Sequence, residues 1–183
     1  MKRITCLLML AVLLLGTVAC SITVNLTPTP PAPTQALPPT ATEAAVLPTT
    51  TVTVYFTNEA RFAVGTEPYE DAVTRQVPAN GDLIRTVLDQ FFLGPTPAEY
   101  NTGLRLVNSG FTFVRELKVE NGIARVYLGG VCANNGAAYS VGSLIAKNLS
   151  QFPQISAVKI YDENDSTLDP DSPASSLPYC LEP

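Results

Sequence analysis

Apolar positions along the chain change period several times, and each change marks an element. Residues 51–56, rich in β-branched and aromatic side chains, predict a strand. Residues 72–77 predict a second strand, stopped by Pro78. Leu83, Ile84, Val87, Leu88, Phe91 and Phe92 then fall on one helical face. This helix is expected to be capped by Asn80, to begin at Gly81 or Asp82, and to stop at Gly94-Pro95. Residues 112–120 predict a strand with Phe113, Leu117 and Val119 on one face. Asn121-Gly122 predicts a tight hairpin turn, and the return strand 123–128 places Ala124, Val126 and Leu128 on one face before Gly129-Gly130 end it. A helix over 137–152 follows, with Val141, Leu144, Ile145, Leu149 and Phe152 as its apolar stripe. Gly142 and Ser143 are small enough there for a close approach to a sheet. Residues 155–161 predict the last strand. The order is β-β-α-β-β-α-β. Helices with single apolar stripes need a sheet to cover, so the expected class is α+β: a two-layer sandwich with two helices on a mixed or antiparallel sheet.

The amino-terminal stretch fits none of these periods. Lys2 and Arg3 precede an apolar run from Leu7 to Leu15, too short for a stable membrane span, which ends in Gly16-Thr17-Val18-Ala19-Cys20. Residues 1–19 read as a lipoprotein signal peptide and Cys20 as the residue that receives the lipid; the rival reading is an ordinary secretory peptide cut near Ala19. Two acyl chains, at about 0.8 kcal/mol per buried methylene, would anchor the chain to a membrane stably. Residues 20–50 form a Pro/Thr-rich tether whose only charge is Glu43. Such a composition buries no core and favours polyproline II, with an extended reach of roughly 90 Å at about 3.1 Å per residue. The domain is expected over residues 51–161, and residues 162–183 form an acidic, Pro- and Ser-rich tail.

The chain has four cysteines. Cys6 goes with the signal and Cys20 carries lipid, which leaves Cys132 and Cys180 for a disulfide in an oxidising compartment; two free thiols are the alternative. The bridge would pin the tail to the loop after the hairpin.

Charge and chemistry narrow the function. The formal net charge is −5, with no basic stripe, so nucleic acid is not an expected partner. The sequence has no histidine, which removes Ser-His-Asp and Cys-His nucleophiles, most zinc sites and the usual general base near neutral pH. Gly-x-Ser-x-Gly and phosphate-loop motifs are absent. Glu116 and Glu120 are expected as solvated charges on a strand, and Asp82 and Asp89 on the polar side of a helix. Asp162, Asn164 and Ser166 have the alternate spacing of a calcium loop but lack its glycine and final glutamate. No metal, cofactor or catalytic residue is expected. Tyr55, Tyr127 and Tyr139 are candidates for an aromatic binding face.

The domain resembles GerMN modules, the spore-germination-associated domains of bacterial envelope proteins. The resemblance lies in Val52-Thr53-Val54-Tyr55-Phe56, Val73-Thr74-Arg75-Gln76-Val77-Pro78, Leu93-Gly94-Pro95-Thr96 with Glu99 and Gly103-Leu104, the hairpin Asn121 to Leu128, and Ser150-Gln151-Phe152-Pro153 with Val158-Lys159-Ile160. Tyr127 stands where the family commonly has Asp. Asn108-Ser109-Gly110-Phe111 replaces its usual Pro-x-Gly-Thr. The resemblance implies an extracytoplasmic location in the cell envelope and no catalytic activity. The expected function is a membrane-anchored lipoprotein whose domain is an interaction or scaffold module, with an envelope protein or cell-wall partner. The alternative is a lipoprotein that binds a solute or a cell-wall glycan.

Overall fold

The computed structural model describes residues 48–183; the expected signal peptide, Cys20 and nearly all of the expected tether lie outside the described residues. The fold is α+β. Its elements are β1 (Thr49–Asn58), α1 (Glu59–Ala63), β2 (Glu70–Pro78), α2 (Leu83–Leu93), α3 (Pro97–Asn101), β3 (Leu104–Arg105), β4 (Phe111–Glu120), β5 (Ile123–Gly130), α4 (Val141–Leu149) and β6 (Ala157–Tyr161). The short elements α1, α3 and β3 have no apolar period long enough to show in the sequence. The strands form two three-stranded sheets, β2-β1-β3 and β4-β5-β6, rather than one. The first is antiparallel; in the second, β5 pairs antiparallel with β4 and parallel with β6.

The reason for the division lies along β1. Its pairing with β2 runs from Thr49 to Thr57, but β3 covers only Thr57 and Asn58 on the other side. The backbone of Thr53 and Tyr55 is completed by side chains of the α4 region instead. Asn148 accepts from the Tyr55 N–H (2.9 Å) and donates to the Tyr55 carbonyl (3.1 Å). Gln151 donates to the Thr53 carbonyl (2.9 Å). Two amide side chains thus stand where a neighbouring strand would, which stops the sheet from continuing there.

Helix α2 contacts β1 and β4, and α4 contacts β1, β6 and α2, so the two helices join the sheets around one core. Val52, Val54 and Phe56 from β1 meet Val87, Leu88 and Phe91 from α2, with the Phe56 and Phe91 rings 5.8 Å apart. Ala124, Val126 and Leu128, expected on one face, are all fully buried, as are Val141, Leu144, Ile145 and Leu149.

Four expectations are corrected. Asp82, not Asn80, caps α2, accepting from the N–H groups of Ile84 and Arg85. This puts Leu83 rather than Gly81 at the first helical position, with a carboxylate against the positive end of the helix. Helix α4 starts at Val141, because Ser140 caps it and Asn134 holds the Ala137 carbonyl in the preceding loop. Gly142 makes its close approach to the tail and not to a sheet: a Cβ there would lie 2.7 Å from Leu177. In β4, register shifts between Phe111 and Phe113 and between Val114 and Glu116 change which residues face inward. Phe111 and Val114 are buried, whereas Phe113 turns outward and lies flat on Gly129, where a Cβ would meet its ring at 2.2 Å. Leu117 keeps contact with the core, but Val119 is exposed. Two bulges cancel the simple alternation on which the expected face rested.

The tail is irregular but anchored. Ser176 pairs with the outer edge of β6, donating its N–H to Val158 and accepting from Ile160. Cys132 and Cys180 form a disulfide, and the neighbouring Leu181 is buried in the core. Lys159, fully buried beneath the tail, donates to the Asp169 carbonyl. Among the described residues no helix is long and apolar enough to cross a membrane.

Candidate interaction surface

The aromatic candidates do not form one face. Tyr55 lies beside Lys147, whose ammonium is 5.1 Å from the ring centroid, and Tyr127 stacks on Tyr161 at 4.4 Å on the outer face of the second sheet. Tyr139 belongs to a third place, where it joins two aromatic residues that carry no periodic signal. Its ring is 5.0 Å from Phe62 and 5.7 Å from Tyr69, and Phe62 and Tyr69 are 5.5 Å apart. Phe62 is 46% exposed and Val64 beside it 75%.

This cluster sits on a polar frame that holds α1 in place. Asn58 caps α1 through the Arg61 N–H (3.0 Å) and donates to Asp71 (2.6 Å). Arg61 pairs with Asp71 and donates to the Glu70 carbonyl (2.9 Å). On the other side Arg105 pairs with Glu59 (2.6 Å) and covers the Tyr100 ring at 3.8 Å. Tyr139 donates its hydroxyl to Glu70 (2.8 Å) and lies 3.2 Å from the Thr57 hydroxyl. Burial pushes the Tyr139 phenol well above its usual pKa, and the Glu70 carboxylate adds to the effect, so it stays neutral. Most of the polar groups around the rings are therefore engaged with one another, while the buried Arg61 Nε lacks a hydrogen-bond partner. What the surface offers is apolar: the exposed Phe62 and Val64.

The carboxylates considered for chemistry are dispersed. Glu116 pairs with Lys118 (2.9 Å), Glu120 lies 3.8 Å from Arg125, and Asp89 pairs with Arg85 (2.8 Å). In the acidic loop, Asp162 accepts from the N–H groups of Asn164 (2.9 Å) and Ser166 (3.0 Å), and Asp165 pairs with Arg115. These carboxylates serve the loop's own backbone and a neighbouring strand. Among the described residues, no three metal-ligating side chains are gathered.

Residues 53–167 match a family model, Germane, described as sporulation and spore germination. That is well over half of the 183 residues. The chain belongs to this GerMN family. No curated protein matches it. Among the solved structures that match, two are as follows. One is the tandem GerMN domains of the sporulation protein GerM from Bacillus subtilis, 20% identical with a TM-score of 0.47, covering 68% of this chain and 44% of that one. The other is the first GerMN domain of the same protein, 18% identical with a TM-score of 0.47, covering 70% of this chain and 92% of that one. The chain thus spans less than half the length of the tandem-domain structure.

Two GerMN motif elements acquire roles from the geometry. The Gly-Pro-Thr stop of α2 leads directly into α3, where Thr96 and Glu99 form a reciprocal capping box. Glu99 also takes both ends of the Arg75 guanidinium at 2.6 Å each, which clamps α3 to β2. Gln151, in the Gln-Phe-Pro element, is one of the two side chains that complete the edge of β1.

The Arg75 guanidinium, with the Thr96 cap, holds the Glu99 carboxyl at about 2, below its ordinary 4.5. A carboxylate whose pKa is lowered by folding adds stability that is fully present above the unfolded value and is lost as pH falls towards the folded one. The stability advantage of the native chain over Glu99→Gln should therefore be constant down to about pH 5 and shrink between about pH 4.5 and 2. Urea midpoints of the two chains across that range measure it; a gap that stays constant to pH 2 would reject the clamp.

Proposed function

We propose that this GerMN domain is a non-catalytic interaction module of the cell envelope, held outside a membrane by lipid on Cys20 and by the Pro/Thr-rich tether. The observation that carries the reading is the Phe62–Tyr69–Tyr139 cluster. Ion pairs and a cap hold α1 in place, yet Phe62 and the following Val64 remain open to solvent. Apolar groups presented on a fixed frame cost little entropy to engage, which suits docking. The hydroxyl of Tyr139 and the carboxylate of Glu70 are already bonded to each other, which leaves them poor partners for sugar hydroxyls and favours a protein over a glycan. The histidine-free composition favours binding over catalysis.

The test is cross-linking in intact cells from a photoreactive residue at position 62. A specific protein adduct is expected, retained with the membrane fraction. Cys20→Ser should release the chain to the soluble fraction, and Phe62→Asp should abolish adducts trapped from a probe at the adjacent position 64 without lowering the melting temperature by more than a few degrees. A Cys20→Ser chain that still sediments with membranes would overturn the anchor. An adduct pattern unchanged by Phe62→Asp would overturn the surface.

A further inference from the structure

The second sheet ends in an open edge. β4 is the outer strand of the order β4-β5-β6, and its two halves differ. The first half is bulged, and Arg85 donates to the Val114 carbonyl at 2.6 Å. The second half pairs regularly with β5 from Glu116 to Glu120, through a two-residue turn in which Asn121 and Gly122 have φ of 51° and 78°. In such a hairpin the flanking residues Glu120 and Ile123 exchange both of their hydrogen bonds, and bonded pairs then alternate along the ladder. Lys118 therefore bonds to β5, while Leu117 and Val119 turn their N–H and C=O groups to the open side. Val119 is exposed, and Leu117 only partly buried.

The side chains on this half-strand are self-complementary. Glu116 and Lys118 stand on the same outer face, on either side of Leu117, and are 2.9 Å apart. We propose that the β4 edge is a homodimer interface, with a second copy of this chain pairing antiparallel about a two-fold axis at Leu117. In that register Leu117 of each copy exchanges both backbone bonds with its counterpart. Glu116 of each copy lies opposite Lys118 of the other, so two ion pairs form across the axis. A two-fold at Lys118 keeps the hydrogen-bond phase, pairing Leu117 with Val119, but would set Lys118 against itself and Glu116 against Glu120. A two-fold at Val119 would place Leu117 opposite Asn121, whose backbone is left-handed and not extended. Charge and the end of the extended backbone at Asn121 thus select one register, and the sheets of two molecules become one six-stranded sheet. The ladder is short, so association is weak in solution and gains from confinement. The inference rests on the interaction reading above and names one partner for a different face of the domain.

Sedimentation and amide shift mapping of the exported full chain carrying Cys20→Ser test it. The chain should dimerise reversibly between about 10 µM and 1 mM, with shifts concentrated at residues 115–119. Glu116→Lys alone and Lys118→Glu alone should each weaken self-association at least tenfold, since like charges then oppose. An equimolar mixture of the two variants should associate again, because one copy presents two lysines and the other two glutamates. The double exchange in one chain should also dimerise. Recovery in the mixture shows that both variants are folded. A chain that stays monomeric to about 1 mM, or a dimer indifferent to Glu116→Lys, overturns the proposal. If position 62 still captures another protein in either case, the interaction reading survives without it.

Discussion

Replacing Asn148 by alanine should destabilise the domain by about 3–5 kcal/mol, a large share of the roughly 5–15 kcal/mol typical of a domain. Asn148 is fully buried and makes three hydrogen bonds: from the Tyr55 N–H, and to the carbonyls of Tyr55 and Leu144. Truncation leaves the Tyr55 N–H and C=O without partners beneath α4, where water has little access. Each unsatisfied buried group costs about 1–3 kcal/mol, and the vacated volume adds to this. Asn148→Asp is the informative companion. It keeps an acceptor for the N–H but loses both donations and buries a charge, so it should be at least as damaging near neutral pH. Urea unfolding measures both. A loss below about 1 kcal/mol for the alanine variant would mean that β1 does not depend on this side chain.

Removing the Cys132–Cys180 bridge should cost about 4 kcal/mol on the chain-entropy account, given a separation of 48 residues. The effect should also be local. The bridge holds the segment that lays Ser176 on β6, seats Leu181 in the core and covers Lys159. Cys132→Ser with Cys180→Ser should therefore expose the outer edge of β6 before the rest of the domain opens. Faster amide exchange at Ile160, and tryptic cleavage after Lys159 under conditions that leave the hairpin of β4 and β5 intact, would show it. Equal protection of Ile160 with and without the bridge would show that the tail docks by its own contacts.

The two effects differ in how far they could be read from the residues. The disulfide is suggested by counting: if one cysteine goes with a signal peptide and one carries lipid, two remain. Asn148 carries no comparable mark. In the sequence it is a polar residue within an amphipathic helix, and nothing local says that it faces a strand about ninety positions earlier. Gln151 belongs to a recognisable motif, but its partner at Thr53 is equally distant. The Arg75–Glu99 clamp is similar: both residues fall in family elements, yet their pairing requires α3 to fold back over β2.

The candidate surface was less legible than the fold. Tyr139 stands out in the sequence as an aromatic candidate, but the other two candidates, Tyr55 and Tyr127, lie elsewhere. Its neighbours Phe62 and Tyr69 sit in a stretch with turn signals and no apolar period. They come together because α1 is pinned by Asn58, Arg61 and Asp71 against the end of the first sheet.

By itself the sequence determined the long elements, their order, the hairpin turn and the buried stripes of α2 and α4, and it pointed to a bridge between Cys132 and Cys180. These rest on local physics: side-chain period, turn geometry and composition act over a few residues and need no knowledge of the rest of the chain. Tertiary structure alone decided the division into two sheets, the faces of β4, the sealing of β1 by amide side chains and the assembly of the aromatic cluster. Each depends on backbone groups that must find partners across long separations. Two bulged residues suffice to invert a strand's alternation, and one buried amide can replace the edge of a sheet.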